Sequence, residues 1–195
     1  MSVENISVCF SLEDAQRACD AWGANCGPGA IAAIVGLTLD ELRSHMGDFE
    51  TKGYTNPTLM WSILNDLGVR WRLVKPARIW PIYGLARVQW EGPWTAPSVP
   101  MRARYRHTHW VGASCLPDVE ARVFDINCIC VGGWVSDSEW TAQVVPWLLR
   151  QCEPKASGRW HLTHVVEVER DMVRRRIDDF EAAAGMLAGV SADAR

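Results

Sequence analysis

Apolar positions recur at helical spacing in the first third of the chain and fall into short β-prone runs thereafter. Ser11, with Asp14 three residues on, predicts an N-cap and a helix to about Asp20. Trp22-Gly23-Ala24-Asn25 reads as a turn. The small apolar run from Cys26 predicts a second helix, with Asn25 as N-cap, Pro28 in the first turn and Gly36 as its end. Thr38 and Glu41 make a capping-box pattern for a short helix to about Met46. Asn56-Pro57 opens another, with Leu59, Ile63, Leu64 and Leu67 on one face and Gly68 closing it. Strands are predicted over 69–74, 85–90, 108–115, 121–126 and 161–168. Ser136 predicts a helix near 139–144, and 170–187 predicts a final one. Residues 91–101 hold three prolines and read as a loop. Helices followed by strands argue an α+β fold: a helical lobe over about 1–68, a sheet lobe over about 69–169, and a C-terminal helix with a frayed tail over 170–195.

Composition narrows this picture. With 48% hydrophobic and 22% charged residues, the chain is an ordinary globular sequence and not a disordered one. No apolar run reaches the roughly 20 residues of a membrane-spanning helix, so no membrane partner is expected. The first residues show neither a basic start nor a long apolar stretch, so a cytoplasmic protein with free thiols is expected. A net charge of −3 argues against a nucleic-acid partner. Charge is uneven, however: Glu91 is the one acid among eight bases in 70–109, which points to an acidic substrate or to solvated faces. An alternating Arg102, Arg104 and Arg106 on one strand face, beside an exposed Trp94, is the form a nucleic-acid or anionic-ligand module would take.

The candidate chemistry starts at Cys26, one of seven cysteines. A helix N-terminus offers unpaired N–H groups and a positive dipole end, which lower a thiol pKa and favour the nucleophilic thiolate. Gly27 and Gly29 keep side chains away from the sulfur. His109 sits on a predicted strand, with Trp110 on the opposite face. Asp125 ends the next strand, where a carboxylate could fix the tautomer of the imidazole. His107 shares a face with His109 and competes for the role of base. The metal alternative combines His107 and His109 with Cys128 and Cys130, but the one-residue Cys spacing is poor for zinc, and both cysteines read as core.

Asn25-Cys26-Gly27-Pro28, then His109-Trp110-Val111, then Phe124-Asp125, in this order over about residues 16–130, resemble the papain-like cysteine peptidase superfamily. The likeness is to its bacterial branch of leader-cleaving, double-glycine peptidases of bacteriocin exporters. It implies a papain-like fold, with a helical lobe and an antiparallel sheet around a cleft. It implies Cys26 as nucleophile, His109 as general base and acid, and Asp125 as the orienting residue, with no metal or organic cofactor. His109 is preferred over His107 because Trp110-Val111-Gly112 follows it. Trp22, Gly27, His107 and Trp110 would line the cleft. One departure stands out: Asp20 occupies the position where the family carries an oxyanion-hole Gln, leaving Asn25 or Gln16 as substitutes. The expected activity is hydrolysis of a peptide or amide bond. Deamidation, acyl transfer or an inactive peptide-binding role are the alternatives. A second copy docking through the C-terminal helix is the expected route to a dimer.

Overall fold

The computed structural model describes residues 8–23, 25–77, 79–117, 119–152 and 155–170. Its helices begin where side chains satisfy the free N–H groups of a first turn. Ser11 and Asp14 form a complete capping box for α1 (Leu12–Trp22), which stops at Gly23 with φ of 70°. Thr38 and Glu41 do the same for α3 (Leu39–Arg43). Asn56 accepts the Leu59 N–H at 2.8 Å and opens α5 (Pro57–Asp66). Between these lies α2 (Cys26–Val35), in which every residue after Cys26 is buried. A short α4 (Phe49–Lys52) was not signalled by the apolar pattern.

Six strands form one antiparallel sheet: β1 (Trp71–Val74), β2 (Tyr83–Trp90), β3 (Thr108–Ser114), β4 (Arg122–Phe124), β5 (Trp134–Ser136) and β6 (Trp160–Val168), in the order β1-β6-β2-β3-β4-β5. The fold is α+β. Central β2 is buried along its whole length because both faces are covered. Tyr83 and Leu85 face a core with Ile31, Ile34, Met60, Ile63 and Phe124. Ala86, Val88 and Trp90 face a second core with Trp94, Trp140, Val145 and Leu148. That second face is covered by α7 (Asp137–Glu139), a π-helical turn (Trp140–Val144) and α8 (Val145–Cys152). Ser136 caps this run as its sequence predicts.

Several expectations are corrected. Trp94 is buried rather than exposed, because its Nε1 donates to the Trp90 carbonyl at 2.7 Å. Arg102 and Arg104 lie on a helical turn, α6 (Met101–Arg104), not on a strand. Arg104 binds the carbonyls of Val99 and Pro97, which holds the proline-rich loop. After Phe124 the chain does not stay extended but forms a 3-10 turn (Ile126–Val131), so Cys128 is buried while Cys130 is exposed. The helix expected over 170–187, and the dimer contact expected through it, fall beyond Arg170, outside the described residues.

Candidate active site

The site is built where β3 loses a neighbour. β4 pairs with β3 only from Gly112 to Ser114, and the chain then turns away. His109 therefore has open space beside it, and Asp125, first residue past β4, fills it. His109 Nε2 lies 2.8 Å from Asp125 Oδ2, with the carboxylate fully buried. Asp125 accepts three more hydrogen bonds: Trp140 Nε1 at 2.9 Å, and the Asn127 N–H and Nδ2 at 3.0 and 2.8 Å. A buried carboxylate demands such partners. The Trp90 ring stacks on His109 with centroids 6.2 Å apart, and Trp140 stacks on Trp90 at 6.3 Å. Two indoles thus wall the pair from water.

Cys26 approaches from the helical side. It is half-buried at the first position of α2, with His109 and the Trp110 N–H near enough to act on its thiol. With Nε2 held by Asp125, Nδ1 is the ring atom left for the thiol. Burial pushes the Cys26 thiol up, but the hydrogen bond and charge of His109, helped by the Trp110 N–H, bring it below its ordinary value. Burial likewise disfavours the His109 imidazolium, and Asp125 and Cys26 together raise it well above the ordinary histidine value. Asp125 is lowered despite its burial, chiefly by the His109 charge. All three directions favour the ion pair of thiolate, imidazolium and carboxylate. Cys128 shows the contrast, since burial and then the charge of Asp125 push its thiol up to about 12.

The other predicted residues are distributed differently. Trp22 belongs to the core and packs edge-on against Phe49 rather than walling a cleft. Gly27 and Gly29 are explained by packing: a Cβ at Gly27 would meet Thr55 Oγ1 at 2.2 Å, and one at Gly29 would meet Ile126 Cδ1 at 2.4 Å. Asn25 does not cap α2 through its side chain; its Nδ2 donates to the Ala15 carbonyl at 3.1 Å and ties α2 to α1. Gln16 Nε2 donates to Asp20 at 2.9 Å, and both are exposed on α1. Trp110 is buried, with its Nε1 on the Thr55 carbonyl at 2.7 Å. It offers the site a backbone N–H rather than an open ring. His107 stands against the Trp94 ring at 4.2 Å, so the imidazole at Asp125 is that of His109.

For the metal alternative, Cys128 and Cys130 point to different environments, and the described residues hold no group of three or more His, Cys, Asp or Glu side chains placed to share an ion. Trp90, Trp140 and Asn127 were not singled out from the sequence. The surplus of tryptophan, 11 against 4 Phe and 3 Tyr, marked Trp90 and Trp140 only as core, and Asn127 carried no signal. Compared with known proteins, the chain matches no family model, no curated relative and no solved structure.

Proposed function

We propose that the chain is a papain-like thiol hydrolase that cleaves a peptide or amide bond. One observation carries this reading. A buried imidazole is held by a buried carboxylate through Nε2, and a thiol at a helix N-terminus meets the ring. The Cys26 thiolate attacks the carbonyl carbon, and the Cys26 N–H at the helix start receives the developing oxyanion. Asn25 keeps a second amide hydrogen for the same oxygen. His109 gives its proton to the leaving amine, forming an acyl-enzyme. His109 then takes a proton from water, which attacks the thioester and releases the acid. An amine in place of water gives acyl transfer from the same intermediate. The lowered thiol and raised imidazole set the working range: activity rises as Cys26 ionises and falls at alkaline pH as His109 loses its proton. A cytoplasmic setting, with reduced thiols, suits this chemistry.

The test is iodoacetamide labelling of the native protein across pH, read by peptide mass spectrometry, in wild type and His109→Ala. Cys26 labelling well below about pH 8, slowed tenfold or more (order of magnitude) by the substitution, is the expected result. Labelling no faster than exposed Cys130, or indifferent to His109→Ala, overturns the reading and leaves a binding protein on this scaffold.

A further inference from the structure

Near the start of α2 lies a cavity of about 690 Å³, lined by Thr55, Arg87, Arg102, Arg106, Thr108 and His164 among others. Such a volume falls in the range of sites that hold small ligands or side chains. Its position ties it to the reacting groups. Thr55 packs against Gly27, the residue after Cys26, and Arg87 and Thr108 share the face of Trp110, whose N–H acts on the Cys26 thiol. Arg87 is near enough to Cys26 for their charges to interact.

Arg87 is the unusual member. It is only 7% exposed, yet no carboxylate of the described residues lies within ion-pair distance of it. One terminal nitrogen donates to Thr108 Oγ1 at 3.1 Å, and the guanidinium stands 5.6 Å from the centre of the Tyr105 ring. Its Nε is buried without a hydrogen-bond partner. The Thr55 hydroxyl in the same wall is also buried and unpartnered. Buried cations are normally paired, because desolvating an isolated charge is costly. Opposite Arg87 the β2–β6 register shifts, which makes a bulge of the kind that re-aims a side chain beside a site. Burial, then the charges of Arg87 and Lys75, hold His164 below its ordinary value, so this wall gains no further proton at neutral pH. Arg102 and Arg106 add positive charge at the exposed rim.

We infer that this cavity is a carboxylate subsite: Arg87, with Thr55 and Thr108, receives an acidic group of the substrate next to the bond that Cys26 attacks. The inference rests on the thiol-hydrolase reading and adds the substrate class, an acidic peptide. A bidentate guanidinium–carboxylate contact supplies the pairing Arg87 lacks. The carboxylate belongs either to an Asp or Glu side chain or to a chain terminus.

The experiment compares two alkylating probes of the Cys26 thiolate. In both, sulfur bonds to the methylene carbon and iodide leaves; iodoacetate carries a carboxylate and iodoacetamide does not. The imidazolium of His109 also attracts the anion, so the readout is the iodoacetate-to-iodoacetamide rate ratio in wild type against Arg87→Gln. A ratio that falls about tenfold in the variant is expected. Should Arg87→Gln not fold, the paired Arg102→Gln and Arg106→Gln rim variant gives a smaller drop in the same ratio. In wild type, protection of Cys26 from iodoacetamide by N-acetylglutamate α-amide marks a side-chain carboxylate, and protection by N-acetylglycine marks a terminal one. Fast iodoacetamide labelling with an unchanged ratio and no protection by either compound overturns the subsite alone. Slow labelling by both probes overturns the hydrolase reading and the subsite with it.

Discussion

Among the described residues stand two histidine–aspartate pairs of nearly equal length and very different surroundings. His45 Nδ1 meets Asp66 at 2.5 Å, with the side chains 32% and 62% exposed. His109 Nε2 meets Asp125 at 2.8 Å, with exposures of 9% and 0%. Distance alone would rank the first pair higher. What separates them is everything around the contact. Asp125 has each oxygen bonded twice, a tryptophan wall excludes water, and a thiol faces the second ring nitrogen. In water the Coulomb energy of such a pair is about 1 kcal/mol, and it grows several-fold near a protein interior. The lesson is that a charge pair becomes a functional device through its enclosure.

The comparison can be broken at the buried pair first. Asp125→Ala leaves His109 and Trp140 Nε1 without their acceptor, and a loss of about 3–5 kcal/mol in urea unfolding near neutral pH is expected. The folded Asp125 carboxyl is lowered to about 2 from its ordinary 3.8, so its stabilising effect is complete above about 3.8 and is lost as pH falls toward 2. His109 works the other way: its folded value lies above 6.5, so its share is full below 6.5 and fades as pH rises through the folded value. The gap between wild type and Asp125→Ala should therefore narrow in strong acid. An undiminished gap at about pH 2 would mean that packing, and not charge, sets the cost.

Trp140→Phe sharpens the contrast by keeping an aromatic ring and removing one donor to Asp125. An intermediate loss of about 1.5–3 kcal/mol is expected, since the bond is to a charged acceptor. A loss under about 0.5 kcal/mol would show that the indole acts only as a wall. The exposed pair gives the smallest effect. Asp66→Asn should cost less than about 1 kcal/mol and become indistinguishable from wild type in about 1 M salt. A larger, salt-insensitive loss would erase the distinction drawn between the pairs.

Much of this arrangement was legible along the chain, and the reason is locality. Caps at Ser11, Thr38 and Asn56 act within four residues, so the helix starts could be read directly. The place of Cys26 at the start of α2 could be read because a helix start is also a local pattern. His109 and Asp125 were found through their order and strand spacing. The partners of Asp125 were not, because Trp140 reaches it only after the chain has turned through Ile126–Val131 and added β5. That turn carries no local signal, since the predicted strand ends at Ile126 and Cys128 and Cys130 alternate with it as strand residues would. Gly132 and Gly133, both at positive φ, let the chain reverse into the three-residue β5 that was missed. Arg87 counted only as one base in a basic stretch. Its isolation from any carboxylate of the described residues depends on which strands flank β2, and no local pattern encodes that.

The strand order also bears on the sequence in which the proposed site is completed. β6, the last described strand, lies between β1 and β2 in the middle of the sheet. During synthesis at about 5–20 residues per second, the helical half can assemble early. A ribosome-bound chain that ends before Asp125 carries Cys26 without an oriented base. One that ends before Trp160 leaves β2, the strand of Arg87, with a bare edge. On the reading proposed above, His109 gains its carboxylate once Asp125 has emerged, whereas the strand that carries Arg87 is flanked on both sides only after β6 is inserted.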